Sequence, residues 1–233
     1  MTNKKYKHIF FDLDHTLWDF NTSSLYTIKE MFRIFELAAK GVPTHEVFVK
    51  EYHIHNDRLW ELYRNGELKK EVLSSLRFAD TLRNFGISDD ILAEKLSDFY
   101  LYHSPRNVFL FPNTLETLGY LKKKYSLHII TNGFEEVQHT KLEVSGLRKY
   151  FNTVITSEEA GVKKPDRGIF DFAIRKTTAL TDESIMVGDD LDVDILGARL
   201  AGIDGVYFNP EGKLHNEILD YEINDLNQLQ NYF

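Results

Sequence analysis

HIFFDLDHTLWD, residues 8–19, carries three apolar residues straight into a carboxylate, Asp12, and sets a second, Asp14, two positions later. The apolar run predicts a short buried strand over about residues 7–12. Burying a charge is costly unless it is paired, so the acids mark the point where the strand leaves the core for a polar crevice. Residues two apart on an extended chain point the same way, which lets Asp12 and Asp14 share one face.

Beyond this strand, residues 22–104 read as helices. Stripes at spacings of three, four and seven run through Leu25, Ile28, Phe32 and Phe35, then Phe48, Tyr52, Leu59 and Leu62. Two more run through Leu68, Val72, Leu76 and Ala79, and through Leu92, Leu96 and Phe99. Turn signals at 40–43, 64–66 and 85–88 separate them, so a four-helix bundle is expected. From residue 113 the pattern changes. Helices at 113–124, 134–145, 166–177 and 191–201 alternate with apolar strands at 127–131, 153–156, 184–188 and 203–208. This order predicts an α/β fold, a Rossmann-like parallel sheet flanked by helices. The 116 residues between Asp14 and Thr131 exceed the dozen or so that a crossover needs. An inserted domain is therefore expected, a helical cap over 18–108 interrupting a core made of 1–17 and 109–233.

The formal net charge of -8 argues against a nucleic-acid polymer or an anionic membrane as partner. It leaves room for a small anionic metabolite bound by local positive charge. The absence of cysteine removes disulfides, thiol catalysis and thiolate metal sites. The basic N-terminus meets an apolar run too short for a signal peptide, and no stretch approaches a membrane span, so a cytoplasmic monomer or small homo-oligomer is expected.

Four of the strands run into a polar signature: Asp12-Leu13-Asp14, Thr131-Asn132-Gly133, Lys164-Pro165 after a short loop, and Gly188-Asp189-Asp190. In open α/β sheets, ligands bind outside the carboxyl ends of the strands. Asp12, Asp14 and Asp189 together would repel one another, and an all-oxygen set of this kind suits Mg²⁺. Lys164 adds a point charge, Thr131 a hydroxyl, and the Asn132–Gly133 turn backbone N–H groups for an oxyanion. Acids, Mg²⁺, Lys and a small hydroxyl make a phosphoryl-transfer site with a carboxylate nucleophile.

With those residues in hand, the chain resembles the haloacid dehalogenase (HAD) superfamily of phosphohydrolases. DLDHT, IITNG, KKP and VGDDLDVD are similar to its four motifs in order and spacing. The resemblance implies that Asp12 forms an aspartyl-phosphate, and that Asp14 protonates the leaving oxygen and then activates water. It implies Mg²⁺ on Asp12, the Asp14 main-chain carbonyl and Asp189. Thr131 and Lys164 would bind the phosphoryl group, and Asp194 would orient Lys164 or a metal-bound water. His15 stands where the family often has Gly. FFDLDHTLWDF, IITNGF and SEEAGVKKPDRGIFDFA further resemble the pyrimidine 5′-nucleotidase branch. That implies a nucleoside monophosphate as substrate, with a sugar-phosphate phosphatase or phosphomutase as the alternative. A cap in this position is expected to close over the leaving group and set specificity. Dehalogenases of the superfamily lack the second acid, so Asp14 disfavours that chemistry; receiver modules are about half this length.

Several polar or aromatic residues are expected to be structural. His53 and His55 lie two apart on a helix and do not share a face. Asp190 and Asp192 suit a helix N-terminus. Trp18 and Phe20 are expected to pack at the cap–core junction, Trp60 in the bundle core, and Glu158 and Glu159 on a solvated loop.

Overall fold

The computed structural model describes residues 6–233; the basic start of the chain, residues 1–5, lies outside them. The chain divides into two compact units, one running up to Phe20 and from Val108 to Phe233, the other Asn21–Asn107.

The first unit is a six-stranded sheet whose described pairings are all parallel, in the order β3-β2-β1-β4-β5-β6. The strands are β1 (His8–Phe11), β2 (Ser126–Thr131), β3 (Thr153–Thr156), β4 (Ser184–Gly188), β5 (Asp204–Phe208) and β6 (Tyr221–Ile223). β1 lies between β2 and β4, with Phe11 in register with Ile129 and Val187. Alternation along β1 sends Ile9 and Phe11 into one buried cluster and Phe10 into another, so both faces of the strand are covered. The chain leaves β1 for β2 on one side and β4 lies on the other, which opens a crevice at the carboxyl ends. β6 is absent from the sequence reading; three residues are too short for a period-two signal.

Where one helix is expected over 191–201, a π-helical turn, Leu191–Leu196, precedes a short α-helix, Gly197–Leu200. Asp190 caps it by accepting from the N–H groups of Asp192 and Val193 at 3.1 and 3.0 Å. The widened turn lets Asp194 reach back and accept from the Asp190 N–H at 3.2 Å.

The second unit contains the helices α2 (His45–Arg64), α3 (Lys70–Arg83) and α4 (Asp90–His103), with α1 (Phe20–Ile34) entering it. Thr44 and Asp89 cap α2 and α4. Two of the expected apolar stripes are displaced. On α1, Leu25 is exposed, and the buried face is Ser23, Ser24, Thr27, Ile28 and Met31. On α3, Val72 is exposed and Leu76 half-buried, while Leu73, Ser74, Arg77, Phe78, Thr81 and Leu82 turn inward. The cause is that these faces carry hydroxyls satisfied by the helix backbone, such as Thr27 on Ser23 O (2.8 Å) and Thr81 on Arg77 O (2.6 Å). A hydropathy pattern does not count such residues as core. Arg77 is buried among Tyr52, Phe78 and Tyr100, its guanidinium 4.8 Å from the Tyr100 ring centre. Trp60, expected in this core, is half-buried against Tyr63, because the buried stripe of α2 runs through Asn56, Leu59 and Tyr63 instead.

Within β1 and β2, His8 and His128 stack, Nδ1 of His8 3.1 Å from Nε2 of His128, and Phe10 also stacks on His128. Burial lowers both imidazoles, His128 to about 4; Lys7 and Glu183 are the charges facing His8. A base depressed in the folded state binds protons first when unfolded. Stability should therefore fall as pH drops from about 6.5 towards 4, by up to about 3 kcal/mol from His128. His128→Leu is expected to flatten this limb relative to wild type in thermal melts between those pH values; parallel profiles would refute it. No helix among the described residues is long and apolar enough to cross a membrane.

Candidate active site

The loop after β1 is folded tightly. Leu17 and Trp18 both donate backbone N–H groups to Leu13 O, and His15 N donates to Trp18 O at 2.8 Å. His15 sits at φ 63°, in the left-handed region, where Gly is favoured. Its ring packs 5.0 Å from that of Phe20. Trp18 is fully buried in the cluster under this loop.

At the carboxyl edge, Lys164 is the hub. Its ammonium, 2% exposed, donates to Asp12 Oδ1 at 2.6 Å, to Asp194 Oδ1 at 2.6 Å and to Ile130 O at 2.9 Å. The loop that carries it is fixed by Asn132. The Asn132 amide donates to Lys164 O (2.9 Å) and accepts from Lys164 N (2.8 Å). The Asn132 side chain is thus engaged in holding the lysine loop. Thr131 is buried at the end of β2, where its hydroxyl accepts from Gly133 N at 3.1 Å. Gly188 permits the approach of Asp194: a Cβ there would lie 2.3 Å from Asp194 Oδ2.

Asp12, Asp189 and Asp194 each present a carboxylate oxygen, all within 4.8 Å of one another. Burial, reinforced by Asp194 and opposed by Lys164, pushes Asp12 up to about 7. Burial and the neighbouring Asp194 and Asp12 carboxylates drive Asp189 well above the usual range. Burial also raises Asp194 against the pull of Lys164. Burial tends to lower Lys164, but the Asp12 and Asp194 charges outweigh it and raise its pKa. One ammonium against three clustered carboxylates leaves negative charge that a divalent cation would balance, and the all-oxygen donors suit Mg²⁺.

Asp14 stands apart from this group. Burial pushes its carboxyl up, but the Lys141 ammonium and the Gln138 amide together hold it below the usual carboxylate range. Its carboxylate is thus engaged by Lys141 and Gln138, outside the cluster of Asp12, Asp189 and Asp194. Lys141 and Gln138 lie on α6 (Glu135–Val144), which follows β2 as α5 (Thr114–Leu121) precedes it, and escaped the sequence reading, as did Thr16, whose hydroxyl donates to Asp189 Oδ1 at 3.1 Å. The available signal was a helix that turns Gln138 and Lys141 inward beside Leu142. Polar residues on a core-facing stripe call for partners. Glu158 and Glu159 lie on a short helix, Ser157–Ala160, rather than on a loop; Glu158 accepts from Glu135 N at 2.9 Å and Glu159 pairs with Lys176.

The family model described as haloacid dehalogenase-like hydrolase matches residues 9–208. The pyrimidine 5′-nucleotidase PynA of Streptococcus pneumoniae is 31% identical over 208 residues, covering 88% of this chain and 84% of PynA. A glyceraldehyde 3-phosphate phosphatase of Methanothermobacter thermautotrophicus is 32% identical over 208 residues, covering 88% and 86%. Among solved structures, the HAD-hydrolase YfnB of Bacillus subtilis, bound to magnesium in a form that reveals interdomain movement, superposes with a TM-score of 0.88. It is 26% identical, and the match spans 98% of this chain and 99% of YfnB.

Proposed function

This chain belongs to the haloacid dehalogenase-like hydrolases, and from that premise we propose that it is a Mg²⁺-dependent phosphomonoester hydrolase acting on nucleoside monophosphates, those of pyrimidines first. The observation that carries the reading is the buried Lys164 ammonium joining Asp12 and Asp194 beside Asp189 at the carboxyl edge of the sheet. Kinship with a pyrimidine 5′-nucleotidase supports the substrate class.

In this mechanism an Asp12 oxygen forms a bond to phosphorus as the ester P–O bond breaks. Asp14, ionised in the free site, takes up a proton from solvent as substrate binds and gives it to the departing oxygen. Lys164 fixes the nucleophile and offsets charge on the phosphoryl group, and the Thr131 hydroxyl donates to a phosphoryl oxygen. Asp14 then takes a proton from water as the water oxygen bonds to phosphorus and the Asp12–phosphorus bond breaks. Asp12, Asp189 and the Asp14 carbonyl would hold Mg²⁺, which when bound neutralises phosphoryl oxygens and the carboxylate cluster.

The test is phosphate release from a panel of nucleoside monophosphates and sugar phosphates. Release should need Mg²⁺, fall by roughly 100-fold or more in EDTA and return when Mg²⁺ is restored. Pyrimidine nucleotides should show the highest kcat/KM. Release no greater than that of an Asp12→Asn variant would overturn the reading. Kinship with glyceraldehyde 3-phosphate phosphatases favours a second reading, a phosphatase of small sugar phosphates. A higher kcat/KM on triose phosphate than on any nucleotide would select it, and an isomeric phosphate product in place of inorganic phosphate would indicate a mutase.

A further inference from the structure

Both oxygens of the Asp14 carboxylate are held from one helix. Gln138 Nε2 donates to Oδ2 at 2.8 Å, and the Lys141 ammonium pairs with Oδ1. The two side chains are three residues apart on α6 and share a face. Each is 1% exposed. Lys141 also lies 5.4 Å from the ring centres of Trp18 and Phe20, so its position is fixed by rings as well as by charge. The clamp needs Gly133: a Cβ at that position would fall 1.7 Å from Gln138 Nε2. Hence the turn bearing Thr131 leads directly into the helix that grips Asp14.

We propose that Lys141 and Gln138 are positioning residues for phosphoryl transfer, aiming the Asp14 carboxyl group first at the bridging oxygen of the substrate and then at the attacking water. The proposal rests on Asp14 being the proton-transfer group of the reaction described above. Each carboxyl oxygen has two lone-pair directions, so an oxygen accepting from Lys141 or Gln138 keeps one for the transferred proton. The proton passes to the departing oxygen as the Asp12–phosphorus bond replaces the ester bond. It is regained from water as phosphate leaves Asp12, so Asp14 ends unchanged.

Misaiming Asp14 has a distinctive consequence. A ribose alkoxide is a poor leaving group and needs its proton; p-nitrophenolate leaves without one. The kcat/KM value reports only steps up to loss of the leaving group. Lys141→Met keeps the length of the side chain and its packing against Trp18 and Phe20 while removing the ammonium. It should lower kcat/KM on a nucleoside monophosphate by about 100-fold, the low end of the range for a general acid. On p-nitrophenyl phosphate, kcat/KM should change by less than about threefold, because proton donation contributes little there. With that substrate kcat and KM should fall together, and phosphorylated Asp12 should accumulate in acid-quenched samples, because hydrolysis still needs Asp14. Lys141→Arg should restore most of the loss, and Gln138→Met should show the same selectivity more weakly. Gln138→Met also serves as the probe if Lys141→Met does not fold.

Equal losses on both substrates, or none, would overturn the proposal. Asp14→Asn separates the two levels. If it is selective for the poor leaving group while the Lys141 and Gln138 variants are not, the clamp alone is refuted. If it too loses activity uniformly, the role of Asp14 falls with it.

Discussion

Asp12→Asn is expected to lower phosphate release by on the order of 10⁴-fold or more, as removal of a nucleophile does elsewhere, while raising thermal stability in Mg²⁺-free buffer. The two effects share one cause. Asp12 is buried beside Asp194 and Asp14, and its carboxyl is pushed up to about 7. A carboxyl whose pKa is raised on folding binds more protons in the native state. Keeping it ionised therefore opposes folding, increasingly so as pH rises from about 4 to about 7. Asparagine removes that charge, and its amide oxygen can still accept from Lys164. Phosphate assays and melts with EDTA at pH 6 and pH 8 check the pair of effects, and the gain in stability should be larger at the higher pH. A variant that is less stable than wild type at both values, or one that keeps wild-type turnover, would contradict the role given to Asp12.

Lys164→Met is the second large effect, with the opposite sign on stability. Removing one partner of a buried ion pair leaves the other charge uncompensated, at about 3–5 kcal/mol. Here the ammonium serves both Asp12 and Asp194, each buried. Turnover should fall by about 10²–10³-fold, the usual result of deleting one electrostatic stabiliser. The stability loss should depend on pH. Without Lys164 the two carboxyls, already raised by burial, rise further in the folded state, so the variant gains protons on folding. Its deficit relative to wild type should shrink as pH is lowered from 8 towards 5 and be largest in alkaline buffer. Urea melts at those two pH values provide the measurement; a deficit independent of pH would mean that the cluster is not held by this ammonium.

The readable part of the molecule was the part written locally. Near-continuous apolar runs such as Ile9–Phe11 and Ile185–Val187 announce strands covered on both faces. The polar residues that follow them, Asp12, Thr131 and Asp189, stand at neighbouring strand ends because parallel β1, β2 and β4 pair in register. The helical unit was readable as helices but less so as packed faces. On α3 the inward side includes Ser74, Arg77 and Thr81, whose polar groups are largely met within the unit. A stripe drawn through Val72 and Leu76 therefore points the wrong way.

By itself, then, the sequence determined the alternation of strands and helices, the long helical interruption after β1, and the placing of acids, hydroxyl and lysine beside strand ends. Those are properties of short windows, set by periodicity and by the cost of burying charge. Only the tertiary structure decided which charge meets which. Lys164 lies 152 residues from Asp12, and Gln138 lies 124 from Asp14. Whether Asp14 turns towards the other acids or towards α6 depends on how a loop and a helix dock in space. Coulomb interactions and hydrogen bonds act over a few ångströms of distance, whatever the separation along the chain.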